Sequence, residues 1–215
     1  MRFKQLFFAL FVLLSIIDVS MIFFGFKNLL WLPRILSLTA VVLYGYSSID
    51  QVRFSFWMLS FFIVSTGFLF SLDDYTLLGM LSLVAFRLSW LNLIIDSNAK
   101  IDKEIALIVF SITAMFFSIV LYLLYTDTIF YYLSIATTIG LLLVLSVVFS
   151  LFTTKGGKFG NREMLFAVII FIISDALSGS KKITGTSVFF LMLSVVLYNI
   201  AYYFLMRGVI QNNKK

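Results

Sequence analysis

Apolar residues run through this chain in eight long stretches, at 6–26, 32–49, 54–72, 75–95, 105–125, 129–151, 164–180 and 186–206, parted by short polar turns. Each stretch is close to the ~20 residues a helix needs to cross a hydrocarbon core about 30 Å thick. A transmembrane β-strand would alternate strictly over roughly ten residues, whereas the run IALIVFSITAMFF at 105–117 is apolar on every face. The pattern therefore predicts an all-α fold: a polytopic membrane protein, a bundle of eight transmembrane helices forming a single integral membrane domain over residues 1–215.

Composition strengthens that picture. Hydrophobic residues make up 62% of the chain and charged residues 12%, with a mean hydropathy of +1.09, too little polar surface to cover a water-soluble globule. The first stretch is longer than the apolar core of a removable signal peptide, and no small-x-small cleavage site follows it, so it is expected to remain. The sequence contains neither cysteine nor histidine. Disulfides, thiolate metal sites, a Cys nucleophile and the usual proton shuttle are thereby excluded, and no metal or other cofactor is expected. Any chemistry must use carboxylates, hydroxyls, amides, Lys or Arg.

Charge sets the expected topology. With eight spans, eleven Lys and Arg fall on the side shared by the two termini and four on the other, with Arg87 inside a span. The positive-inside rule then puts both termini in the cytoplasm, and the expected compartment is a bacterial cytoplasmic (inner) membrane. The net charge of +6 is accounted for by this bias and by attraction to anionic headgroups, so no nucleic-acid partner is implied. The segment TTKGGKFGNRE at 153–163 lacks P-loop spacing and follows no strand, and it reads as a solvated linker. Paired aromatics such as Tyr131 and Tyr132 near span ends read as interfacial anchors.

A few polar side chains interrupt the apolar stretches, and each is expensive there. Asp175 lies six residues before Lys181, about 9 Å below the boundary by helical rise, with Ser174 and Ser178 beside it and Ser178 on its face. It must face the bundle, find a donor or keep its proton. Asp73 and Asp74 close the third stretch; they form either a solvated corner, with an Asp capping the fourth helix, or part of a site. Asp18 sits at a depth similar to that of Asp175. Arg87, near the middle of the fourth stretch, requires a carboxylate partner or an aqueous cavity. On the last stretch Asn199, Tyr203 and Arg207 recur every four residues, a polar stripe that either lines a cavity or pins helices together.

The motifs resemble those of the YhhN family, integral membrane proteins that include animal lysoplasmalogenases, and the resemblance covers the chain in number and order of spans. AVIIFIISDALSG resembles the family's small-residue-led apolar run ending in Ser-Asp, here Ser174 and Asp175. FLFSLDDYTLL with LSLVAFRLSWL resembles its S-L-x-G-D segment and next helix, which sets Asp74 on the family's acid. YNIAYYFLMRG resembles its closing helix at Ala201, Arg207 and Gly208. Four positions depart from the pattern: Asp73 stands where the family has Gly, Leu32 precedes Pro33 in place of Lys, Trp90 replaces a common His, and Tyr202 replaces a polar residue.

The resemblance implies hydrolysis of the vinyl ether of a lysoplasmalogen to a fatty aldehyde and a glycerophospho-base, with a membrane lipid as partner. Vinyl ethers are cleaved by protonation of the β-carbon and attack of water on the resulting oxocarbenium ion. Such chemistry suits two carboxyl groups in different environments, as in glycosidases. On this reading Asp175, the deeper group, is the acid and Asp74 the base or electrostatic partner. Asp73, Ser174, Ser178, Asp18, Arg87, Asn199 and Tyr203 are candidate supporting or substrate-binding residues. Two other readings remain open: a small proton-coupled carrier using Asp18, Asp175 and Arg87 as a relay, and a catalytically silent lipid-binding relative.

Overall fold

A computed structural model of the chain describes residues 2–49, 51–97, 100–123, 128–154, 159–179 and 188–213. Among these residues there are eight α-helices and no strand: α1 (Arg2–Phe23), α2 (Trp31–Tyr46), α3 (Phe54–Leu69), α4 (Thr76–Asp96), α5 (Lys103–Leu123), α6 (Ile129–Thr154), α7 (Phe159–Gly179) and α8 (Val188–Asn213). Short 3-10 turns at Lys27–Leu29 and Asp73–Tyr75 precede α2 and α4. Five helices, α1, α4, α5, α6 and α8, are long and apolar enough to cross a membrane. This is the character of an integral membrane protein.

Local chemistry explains several boundaries. Pro33 is the third residue of α2, inside the first turn, where a missing N–H breaks no intrahelical bond. Asp102 accepts from the backbone N–H groups of Glu104 and Ile105 at 3.0 and 3.2 Å and caps α5. α4 starts from Tyr75, which makes no side-chain cap bond, and the 3-10 turn Asp73–Tyr75 leads directly into the helix; of the two acids expected as a cap, Asp74 makes no such bond and the Asp73 side chain lies outside the described residues.

The helices pack in a closed circuit, α1 to α2, α3, α4, α6, α7, α8 and back to α1, with α2 also touching α8 and with α5 outside, against α6. No described side chain of α5 is buried. Within the circuit Val41, Leu59, Ile63, Val144, Phe171 and Leu205 are fully enclosed. Between α4, α7 and α8, Phe86, Trp90, Phe171, Tyr198 and Tyr202 form an aromatic cluster with ring centroids 5.1–6.3 Å apart.

The α7–α8 pair departs from the sequence expectation at its termini. α7 begins at Phe159, five residues before the expected 164, and α8 runs on to Asn213 rather than stopping at 206. Residues 159–163, expected to be linker, are helical because α8 supplies them with partners. Arg207 Nη2 lies 3.2 Å from Glu163 Oε1, and Asn212 Nδ2 donates to Asn161 Oδ1 at 3.3 Å. A Cβ at Gly208 would lie 2.6 Å from Met164 Cγ and 2.9 Å from the Gly160 carbonyl oxygen, so the two helices touch backbone to backbone here. The glycines at 156 and 157 lie outside the described residues, as do Lys181 and Lys182.

Candidate functional site

Two arginines, one partly buried and one fully buried, organise the end of the bundle formed by the C-terminal halves of α1, α3 and α7 and the N-terminal halves of α2, α4 and α8. The first is Arg34, on the first turn of α2. Its Nε and Nη2 donate to Asp18 Oδ2 and Oδ1 of α1 at 3.1 and 3.3 Å, a two-pronged pair, and its Nη1 donates to Ser71 Oγ at 3.3 Å. Asp18 is entirely enclosed, whereas the Arg34 side chain keeps 16% exposure. The anion therefore sits behind its cation.

The second is Arg87 of α4, whose side chain is 1% exposed. Its Nη2 pairs with Asp175 Oδ2 of α7, and its Nη1 donates to the backbone carbonyl of Thr137 on α6. Asp175 Oδ1 accepts the hydroxyl of Tyr198 on α8. One guanidinium and one carboxylate thus tie four helices. Gly140 on α6 leaves room for the arginine stem, since a Cβ there would approach Arg87 Cβ to 3.3 Å. The Nε of Arg87 and the indole Nε1 of Trp90 have no hydrogen-bond partner among the described residues.

Between these two pairs lies a cavity of about 400 Å³, walled by Asp18, Arg34, Thr66, Thr76, Ser178, Ser194, Tyr198 and Asn199 together with apolar side chains that include Leu38, Phe70, Leu177, Phe190 and Tyr202. Six helices contribute, and Tyr198 separates the cavity from Asp175. Thr66 Oγ1 donates to Ser82 Oγ of α4 at 3.0 Å. The Nδ2 of Asn199, a residue 8% exposed, has no hydrogen-bond partner among the described residues.

The sequence-derived candidates separate in space. Asp175, Arg87, Asp18, Asn199 and Ser178 are at the cavity or joined to its wall. Asp74 is exposed, does not line the cavity, and makes no hydrogen bond or ion pair with a described residue. Its link to the cavity is Thr76, a wall residue two positions on. The side chain of Asp73 falls outside the described residues. Ser174 donates to the Ser194 carbonyl at 2.8 Å and so fastens α7 to α8. Tyr203, one turn beyond Asn199 on α8, packs against Phe8 and Tyr44, with centroids 5.2 and 6.1 Å away, and does not line the cavity. The Asn199–Tyr203–Arg207 stripe accordingly divides: its first residue lines the cavity, its second packs with aromatics, and its third pairs with Glu163.

Arg34 and Tyr198 were not singled out from the sequence. The available signal for Arg34 was a guanidinium one residue past Pro33, inside an apolar stretch, with a submerged Asp18 in the preceding helix. For Tyr198 it was the hydroxyl adjoining Asn199. In the four departures from the family pattern, Trp90 fills the place of a His with a fully buried ring, and Tyr202 joins the same cluster, so the interior is apolar where the family pattern is polar. Scans of protein-family models, curated proteins and solved structures find no match to this chain. The resemblance to the YhhN family rests on its motifs alone.

Proposed function

We propose that this chain is an eight-span membrane protein with both termini in the cytoplasm, and that it hydrolyses the vinyl ether of a lysoplasmalogen in the cavity beside Tyr198. The observation that carries the proposal is the Arg87–Asp175–Tyr198 chain, which brings a carboxylate, through one hydroxyl, to the wall of a partly polar cavity inside an otherwise apolar bundle. The three helices outside the five apolar ones, α2, α3 and α7, pack within the same circuit, which supports a crossing by all eight. The excess of Lys and Arg at the end bearing both termini supports the orientation.

The hydrogen bonds support a reading in which the roles expected of the two acids are exchanged. Asp175 accepts from both Arg87 and Tyr198, the arrangement of an ionised acceptor, so it serves as the base and as the counter-charge to the oxocarbenium ion. Asp74, exposed and outside the cavity wall, lies two residues before the wall residue Thr76 and faces water. In this scheme a proton from Asp74 passes through water at the Thr76 side of the cavity to the β-carbon of the vinyl ether. Water then adds to the oxocarbenium carbon, giving its proton to the Tyr198 oxygen as Tyr198 passes its own to Asp175. The hemiacetal collapses to aldehyde and glycerophospho-base, and bulk water returns the proton from Asp175 to Asp74. The test is aldehyde release from a lysoplasmenyl lipid by purified protein. Wild type is expected to turn over and Asp175→Asn to lose at least ~10²-fold, the usual contribution of a positioned acid or base. Well-folded wild type that releases no aldehyde would overturn the proposal.

One observation favours a second reading. Asp18 and Asp175, the acids enclosed in or tied to the cavity wall, are each bound to an arginine, which suits a lipid-binding protein that does no chemistry. Lipid binding without aldehyde release would select it.

A further inference from the structure

The cavity has a neighbour that extends what it can hold. Along the outside of the bundle, α1 and α8 leave a groove of about 440 Å³ whose walls include Phe8, Val12, Ser15, Val196, Ile200 and Tyr203. It lies on the flank of the bundle, since Val12 and Ile200 are 40% and 39% exposed. On α1 it extends from Phe8 to Ser20, about 18 Å by helical rise, close to the ~15 Å of one leaflet's hydrocarbon. Asn199 belongs to both walls, cavity and groove. Its Nδ2 is the unpartnered donor at the seam.

On the cavity side, Arg34 commits three of its five N–H groups, two to Asp18 and one to Ser71. Two donors of a delocalised cation remain, on the side chain that keeps exposure while its counter-ion is buried. That is the geometry of an oxyanion seat, and guanidinium suits phosphate oxygens better than ammonium does. A polar seat joined to a chain-length apolar groove is complementary to a molecule with one phosphate and one hydrocarbon tail.

We propose that the cavity and the α1–α8 groove are one bipartite site for a single-chain phospholipid, with phosphate at Arg34, the tail between α1 and α8, and Asn199 donating at the junction. This names the substrate class of the hydrolase reading and rests on the same cavity. Its test nevertheless needs no turnover.

Binding to the purified full chain in detergent is measured for three probes: a long-chain ester lysophospholipid, its short-chain analogue, and a long-chain fatty alcohol. Two variants separate the halves of the site. In Arg34→Gln with Asp18→Asn, both charges are removed together so that neither is left buried alone, and long-chain lysophospholipid affinity is expected to fall at least tenfold with alcohol affinity unchanged. In Ser15→Trp the groove is filled, and affinity for both long-chain probes is expected to fall at least tenfold with the short-chain lipid unaffected. Equal loss for alcohol and lysophospholipid in the charge variant, or loss independent of chain length in Ser15→Trp, would overturn the proposal. Binding as described by a wild type that releases no aldehyde defeats the hydrolase and leaves this site standing. Aldehyde release by a wild type whose variants do not discriminate among the probes does the reverse.

Discussion

Arg87 is the side chain on which the interior depends. Its guanidinium is almost wholly enclosed, while Asp175 keeps 27% of its side-chain exposure, so the consequences of breaking the pair are unequal. Asp175→Leu leaves a buried cation uncompensated and is expected to cost about 3–5 kcal/mol. Arg87→Met leaves a carboxylate that still holds Tyr198 and is less enclosed than the cation, and it should cost less. Combining the two should recover much of the loss, because an apolar pair needs no partner. Unfolding of the three variants in mixed micelles checks the order, and a single Arg87 variant as damaging as Asp175→Leu would refute it. The sequence shows that Arg87 needs a carboxylate, since a cation in mid-span has no cheaper state. It does not show which one, because the relative heights of α4 and α7 come from packing. Arg34 was harder still. Beside Pro33 it reads as a boundary charge, and only the offset between α1 and α2 turns it toward Asp18.

At the scale of helices, α7 and α8 are joined most closely, and glycine makes that possible. Gly208→Leu is expected to force the pair apart, since the added side chain would collide with Met164 and with the Gly160 backbone, lowering stability by several kcal/mol. Met115 on α5 is 71% exposed, and its replacement by Ala should change stability by less than about 0.5 kcal/mol. Thermal unfolding in detergent compares the two, and equal effects would contradict the packing described. The number and order of helices could be read from apolar run lengths alone. The start of α7 could not, because Gly160, Asn161 and Glu163 have loop-like polarity. They become helical by meeting Gly208, Asn212 and Arg207, residues about 50 positions away.

For the whole molecule, a chain without cysteine permits a clean test of orientation. Single cysteines at Ser97 and at Ser71, on opposite ends of the bundle, should react with an impermeant maleimide from opposite faces of sealed vesicles, Ser97 from the cytoplasmic face. Labelling of both from one face would refute the eight-span reading. The acids expected to converge illustrate what apolar pattern can and cannot specify: it marks Asp175 as an intramembrane group, but Asp74 lies at an exposed turn, and the charged residues of the cavity wall, Asp18 and Arg34, come from α1 and α2 instead. The claim at the centre of the account is that the Arg87–Asp175–Tyr198 chain performs chemistry on a lipid in the adjoining cavity. Aldehyde release from a lysoplasmenyl lipid, measured for wild type and Asp175→Asn at matched folding, tests it most directly. Release by wild type that falls at least ~10²-fold in the variant is the predicted result; equal release by both, or none by wild type, would contradict it.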